Sequence, residues 1–328
     1  MEEDKMKQED ANILLHKMSS VLDNSQMLKL QNTLDEMISD SEEIVPLKSS
    51  MDLLESFLST KRLEGRSEKT LGLYRFTISK MIAAVDKNVC LLTTEEIRNY
   101  LSEYQSRNGD CKATIDNIRR NLSSFYKWLE DENYIFKSPL RRIHKIKTQI
   151  VVRETYSDEE LERLRDGCKY ARNLAIIDLL NSTGIRVSEL VGLDIDDIDF
   201  NERECIVLGK GDKERVAYFD ARTKIHLKEY LATRDDDNPA LFVSIRKPAT
   251  RIQAGGIEIM LKRMGEQCNV EHVHPHRFRR TLATTAINKG MPIEQVQRLL
   301  GHEKIDTTLR YAQVQQSNVK ISHQKYIG

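Results

Sequence analysis

Six side chains in the second half of the chain have the types and settings that phosphoryl transfer needs. Arg186 stands in TGIRVSEL, Lys210 in LGKGDKER, His276 and Arg279 in HPHRFRR, His302 in LLGHEKID and Tyr311 in TTLRYAQ. Singly, each is an ordinary surface residue. Together they suit a pentavalent phosphate better than a carbonyl, because guanidinium forks match phosphate oxygens in bidentate fashion. A phenol is a feasible nucleophile that leaves a stable phosphotyrosine ester. Its reference pKa is near 10, so it needs a base or a strong positive field. The departing alkoxide needs a general acid, which Lys or His can supply. The sequence has no acidic cluster with metal-ligand spacing, which disfavours two-metal chemistry. It has no GxxxxGK[ST], so ATP is not implied, and GKGDKER lacks the spacing of a phosphate loop.

The elements that must position these groups are legible around them. Ser157-Asp158-Glu159-Glu160 is the start signal of a helix, and residues 170–183 read as an apolar helix (Leu174, Ile177, Leu180) that stops at Gly184, just before Arg186. Asp199-Phe200, Cys205–Leu208 and Val216–Phe219 read as a small β region. Its Gly-rich turn, 209–213, carries Lys210. The remainder reads as mostly helical, with a stop at Gly301 before His302. The six residues are thus expected at the punctuation between elements.

Upstream, residues 48–142 read as a helical bundle. Leu53, Leu54, Phe57 and Leu58 form one stripe. Leu73, Phe76, Thr77 and Met81 suggest a helix entered through Ser67-Glu68-Lys69-Thr70. Thr93-Thr94-Glu95-Glu96 resembles a capping box. A helix from about Lys112 to Glu130 turns Ile115, Ile118, Leu122, Phe125, Trp128 and Leu129 inward, and the aromatic run Phe125, Tyr126, Trp128 is expected in the core. Before Pro46, two short amphipathic helices are expected, with Leu14, Met18 and Leu22 on one and Met27, Leu30, Leu34, Met37 and Ile38 on the other. They suit either a hairpin docked on the next domain or a protein–protein contact element. The segment 137–153, KSPLRRIHKIKTQIVVR, has six Lys/Arg and no acidic residue, and Pro139 breaks any helix there. It reads as a basic, extended interdomain linker suited to phosphate contacts through Arg141, Arg142, Lys145 and Lys147.

Length and composition fit this reading. The 328 residues suggest two domains, and 39% hydrophobic residues suffice for ordinary cores. The net charge of zero hides an asymmetry. Residues 1–50 hold 11 Asp/Glu against 5 Lys/Arg, so the remaining residues hold 46 Lys/Arg against 40 Asp/Glu. Local distribution matters more than the total for phosphate binding. Five scattered cysteines without a CxxC pair point to reduced thiols. The acidic N-terminus is no secretory signal, and no run approaches the roughly 18 apolar residues of a membrane span. A cytoplasmic protein without membrane association is expected.

The segment 157–315 resembles the catalytic domain of the tyrosine recombinase (phage integrase) family, especially its Xer-like branch. The resemblance rests on TGIRVSELVGL, VLGKGDKER, PHRFRRTLAT and LLGHEKIDTTLRYA. Residues 48–142 are similar to the family's core-binding domain in helical pattern. The resemblance implies a mainly α fold with a small β-sheet. A helical core-binding domain (46–142) and an α+β catalytic domain (156–328) would form a C-shaped clamp on duplex DNA, joined by a linker at 143–155 and preceded by an acidic extension at 1–45.

It also implies roles. Arg186 and Arg279 would grip the non-bridging oxygens of the scissile phosphate. Lys210 would protonate the leaving 5′ oxygen, with Lys213 ranked second. His276 would assist proton transfer or hold the phosphate, and His302 would hydrogen-bond a phosphate oxygen. Tyr311 would attack, leaving a 3′-phosphotyrosyl link and a free 5′-hydroxyl, with no cofactor. Glu189 would orient Arg186. Implied partners are double-stranded DNA with inverted-repeat core sites and further copies of the chain, as a dimer per site and a tetramer at synapsis. An accessory directionality factor or a sister recombinase could join them.

The chain also departs from the family. Arg280 stands where the family often has His and, like Lys213, is a candidate DNA contact. The acidic extension replaces the basic arm-binding domain of larger integrases. The tail 312–328, with Val314, Val319 and Ile321, could pack on a neighbouring subunit or on its own domain. Integration and excision of a mobile element is the favoured role, with chromosome-dimer resolution or DNA inversion as alternatives. A type IB topoisomerase and a non-enzymatic DNA-binding protein are the rivals.

Overall fold

In the computed structural model the chain divides into two units, Met1–Val151 and Val152–Gly328. The structure describes residues 8–38, 48–109, 111–147, 154–209, 214–309, 311, 323, 324 and 327.

The first unit is helical: α1 (Gln8–Met18), α2 (Asn24–Ile38), α3 (Ser50–Leu63), α4 (Glu68–Ala84), α5 (Thr94–Asn108) and α6 (Lys112–Asp131). Its starts are written locally. Ser49 and Ser67 accept from the backbone N–H groups of Asp52 and Thr70, and Thr93 and Glu96 close a reciprocal capping box. Leu53, Leu54, Phe57 and Leu58 meet Ile115, Ile118, Leu122, Phe125, Trp128 and Leu129 in one core. The aromatic run is core as expected: Phe125 and Trp128 stack at 6.2 Å, and the Tyr126 hydroxyl donates to the Val89 carbonyl at 3.0 Å.

The α1–α2 pair docks on this bundle. Met27 and Leu34 are buried, and Asn24 exchanges two hydrogen bonds with the Lys137 backbone, at 3.0 and 3.2 Å. The side chains of Met37 and Ile38, like Pro46, lie outside the described residues.

The helix read around Leu73, Phe76, Thr77 and Met81 forms as α4; its inward face is Leu71, Thr77, Ile78 and Met81, and Leu73 and Phe76 are 53% and 56% exposed. At about 100° per residue Leu73 points roughly 200° away from Leu71. One expectation needs correction: the basic segment is not extended from its start. Pro139–Arg142 is a 3-10 turn capped by Ser138, with Pro139 and Leu140 buried. Proline favours a first helical position, where its missing N–H costs nothing.

The second unit contains α7 (Asp158–Asp166), α8 (Ala171–Thr183), α9 (Val187–Gly192), β1 (Ile198–Asp199), β2 (Glu204–Leu208), β3 (Glu214–Tyr218), α10 (Ala221–Ala232), α11 (Ala254–Cys268), α12 (Pro275–Asn288), α13 (Ile293–Leu300) and α14 (Ile305–Leu309). Helix α8 is apolar nearly all round because α7, α10, α12 and β3 all pack on it. It ends at Gly184, whose φ of +60° favours glycine. A Cβ there would also lie 2.8 Å from Leu282 Cδ2.

The strands form an antiparallel β1-β2-β3 sheet with Cys205 opposite Ala217. Each starts one or two residues before its apolar run, because pairing and not hydrophobicity bounds them: Ile198 pairs with Cys205, while the Phe219 N–H bonds Arg203 outside the ladder. The inner face buries Cys205, Val207 and Ala217, and the outer exposes Ile206, Val216 and Tyr218. Among the described residues no helix is long and apolar enough to cross a membrane.

Candidate active site

The site is built around the C-terminal end of α13. The last carbonyls of a helix have no partner within it, and that end carries partial negative charge. Gly301 terminates α13 at φ +63°, and the carbonyls of Leu299, Leu300 and Gly301 are taken by three guanidiniums from three other elements. Arg215 of β3 donates to Leu299 at 2.9 Å, Arg279 of α12 to Leu300, and Arg186, the residue capping α9, to Gly301 at 3.2 Å.

Arg279 is 2% exposed and also donates to the Gly184 carbonyl at 2.8 Å, so it staples the ends of α8 and α13 together. It lies a turn inside α12 and not at a boundary, as the sequence had suggested. Burial, and then the Arg186 and Arg215 charges, push its pKa down to about 10, which leaves it a cation at neutral pH. Glu189 supplies the compensating charge. It receives the Arg186 backbone N–H at 2.8 Å, the Arg186 guanidinium at 2.6 Å and the Arg215 guanidinium at 2.8 Å. Burial alone would raise its pKa; these partners outweigh burial and hold the carboxyl below the usual range. Glu189 therefore orients Arg186, and Arg215 as well.

His302 follows Gly301 directly. Its Nδ1 lies 2.8 Å from the Thr308 hydroxyl, and its ring stacks on Tyr311 with centroids 5.9 Å apart. Tyr311 is half-buried against Ala283, Val296 and Leu300, its N–H bonded to the Thr308 carbonyl at 2.9 Å. His276, in the first turn of α12, is exposed and within electrostatic range of His302. Arg186 and His276 line one groove of about 1170 Å³, together with Lys262, Asn269, His272 and His274.

Burial, and then the charges of Arg279, Arg186, Arg215 and His276, depress the His302 pKa to about 4. The unfolded imidazole gains its proton near pH 6.5, the folded one only near pH 4. Stability is therefore whole above pH 6.5 and declines as pH falls toward 4. With allowance for partial solvent screening the loss is on the order of 2 kcal/mol. Melting temperatures of wild type and His302→Gln should converge as pH falls through this window; parallel curves would contradict the assignment.

The structure thus brings Arg186, Arg279, His302, Tyr311 and His276 together. Lys210 and Lys213 lie outside the described residues. Arg280 donates to the Glu154 carbonyl at 2.8 Å. Arg141 pairs with Glu130, while Arg142, Lys145 and Lys147 are exposed. Arg215 and Thr308 were not singled out from sequence. Strand alternation carried the signal for Arg215, since a period of two puts it on the face of Ala217 and Phe219. No sequence signal pointed to Thr308.

A helical unit with a small sheet that gathers guanidiniums, imidazoles and a phenol defines a phosphoryl-transfer site, and comparison with known proteins gives its class. The Phage integrase family matches residues 154–318, and its N-terminal SAM-like domain matches residues 53–135. The chain is 32% identical over 282 residues to the tyrosine recombinase XerC of Staphylococcus aureus, covering 81% of this chain and 93% of that protein. Against the tyrosine recombinase XerC of Oceanobacillus iheyensis it is 30% identical over 250 residues, covering 73% and 82%. The fold is shared with the Tn1549 transposon integrase solved with transposon right-end DNA, at a TM-score of 0.69 and 18% identity, covering 84% of this chain and 99% of that one. The chain belongs to the tyrosine recombinase (phage integrase) family, the enzymes that cleave and rejoin DNA at specific sites.

Proposed function

We propose that Tyr311 attacks the scissile phosphate of a duplex recombination site, forming a 3′-phosphotyrosyl link and releasing a 5′-hydroxyl. The observation that supports this reading is the convergence of Arg186, Arg279, His302 and Tyr311 at the end of α13. Arg186 and Arg279 stabilise the phosphorane oxygens. Both keep guanidinium N–H groups beyond those bonded to carbonyls, and each is rigidly held before DNA arrives, so little reorganisation is required. His302 is neutral at working pH. With the Thr308 hydroxyl donating to Nδ1, its Nε2 carries the proton and donates to a phosphate oxygen. His276, at the exposed rim, assists proton transfer at the nucleophile, and Lys210 protonates the leaving oxygen. The 5′-hydroxyl of a partner strand then attacks the phosphotyrosine. Bond energy stays in the ester, so the exchange consumes no ATP and needs no cofactor.

The core-binding (46–142), linker (143–155) and catalytic (156–328) segments all engage inverted-repeat DNA, in the cytoplasm. Arg141, Arg142, Lys145, Lys147, Lys213 and Arg280 supply backbone contacts. One dimer occupies each site and two dimers form the synaptic tetramer. Integration and excision of a mobile element is the favoured role, since an acidic helical hairpin precedes the bundle. The identity with XerC proteins supports a second reading, chromosome-dimer resolution.

The test mixes the full chain with nicked duplexes carrying candidate inverted repeats and looks for SDS-resistant adducts. A peptide containing residue 311 on a 3′ phosphate is the expected product. Salt-sensitive, specific binding with no adduct would reduce the chain to a binding protein or one lacking a partner. Relaxation of plasmids without a cognate site by a single subunit would make it a topoisomerase.

A further inference from the structure

We infer that Arg215 is a positioning residue of the recombination reaction, a buried bracket that fixes the Arg186 guanidinium and the Gly301–His302 turn without touching DNA. This deepens the reading above and rests on it.

Arg215 comes from β3, a different element from every other group at the site. It faces inward, opposite Val207 in the register, between residues whose side chains point out. Its side chain is 13% exposed, and both terminal nitrogens are engaged: Nη1 on the Leu299 carbonyl at 2.9 Å, Nη2 on Glu189 at 2.8 Å. Its Nε is buried with no hydrogen-bond partner among the described residues.

The stem runs over Gly301 so closely that a Cβ there would lie 2.6 Å from Arg215 Cδ and 2.8 Å from Nε. Two links follow. Through Glu189, which also holds the Arg186 guanidinium and backbone N–H, Arg215 sets one phosphate-gripping fork. Through Leu299 and its cover over Gly301, it sets the turn from which His302 projects. Strand β3 begins four residues after Lys210 in the sequence, so the bracket fastens the strand that follows this lysine. A lysine keeps the charge and the stem but has no planar fork to span a carboxylate and a carbonyl at once.

The experiment uses full-length protein and the nicked site that gives the wild-type adduct. It compares wild type, Arg215→Lys, Arg215→Met and Glu189→Gln in single-turnover cleavage across pH, in site affinity, and in the salt dependence of binding. Arg215→Lys should cleave at least tenfold more slowly while binding within about twofold of wild type and with an unchanged salt slope. A salt slope lower by about one would mark a phosphate contact and overturn the inference. So would cleavage within twofold of wild type, which would leave Arg215 a plain stabiliser.

Arg215→Met removes one of the cations facing His302. The others are Arg186 from α9, and Arg279 and His276 from α12; Tyr311 stacks on its ring. The acidic limb of the cleavage profile should move to higher pH in this variant and stay in place in Arg215→Lys, whereas general loosening would lower the rate equally at every pH. Should the Met variant fail to fold, Arg215→Lys with Glu189→Gln carries the test as a double-mutant cycle. Losses well short of multiplicative support the shared bracket, and multiplicative losses overturn it. Absence of a wild-type adduct would defeat the underlying reading of Tyr311; a wild-type adduct with normal Arg215→Lys cleavage defeats only this inference.

Discussion

Tyr311→Phe should abolish the SDS-resistant adduct, lowering cleavage by at least about 10⁴-fold, as loss of a sole nucleophile does. Site affinity should stay within about twofold of wild type. The change removes one hydroxyl and keeps the ring, and it is the ring that packs against Ala283, Val296 and Leu300 and stacks on His302. Melting should therefore shift by less than about 1 kcal/mol equivalent. Separating these readouts is what makes the variant informative. Binding and folding report the half-buried ring, and adduct formation reports the oxygen alone. An adduct persisting in the Phe variant would move the nucleophile to another side chain and break the carry-over of roles from the family motifs.

The second large effect is expected at Arg279, and it should combine catalysis with stability. The guanidinium is buried, bridges the Gly184 and Leu300 carbonyls, and belongs to the proposed phosphate grip. Arg279→Lys retains a cation but cannot reach both carbonyls and a phosphate oxygen together. Cleavage should fall by about 10²- to 10³-fold, the range for removing one preorganised donor in a site of this kind. Arg279→Met should lose comparable activity and, in addition, leave two buried carbonyls without partners, which costs about 2–4 kcal/mol. Part of this is returned, because burial and the Arg186 and Arg215 charges already disfavour the cation in the folded protein. Single-turnover cleavage and thermal melting of the two variants separate these effects. Wild-type cleavage by Arg279→Lys would show that charge alone suffices and that the fork is dispensable.

Much of this protein was determined by its sequence alone, and the reason is local. The Thr93/Glu96 and Ser157/Glu160 capping boxes, the stops at Gly184 and Gly301, and the inward face of α6 involve residues within a turn or two of one another. Motif order carried the family and the proposed reactive groups. Where a local pattern was ambiguous, packing decided. Leu73 and Phe76 helped to mark α4 as a helix but not its inward face; α6 meets α4 along Thr77, where Asn121 donates to the Thr77 hydroxyl at 3.0 Å, and Leu73 and Phe76 remain outside.

The tertiary structure alone decided how the reactive groups are held. The three arginines reach the end of α13 across 84, 115 and 21 residues. Likewise Arg277, Phe278, Arg280 and Thr281 of α12 fasten residues 154–156, over separations of 122 to 126 residues for the hydrogen bonds from Arg277, Arg280 and Tyr156. No periodicity encodes such partners. Helix ends leave carbonyls that any donor can satisfy, and which guanidinium does so depends on which ends the packed core brings together.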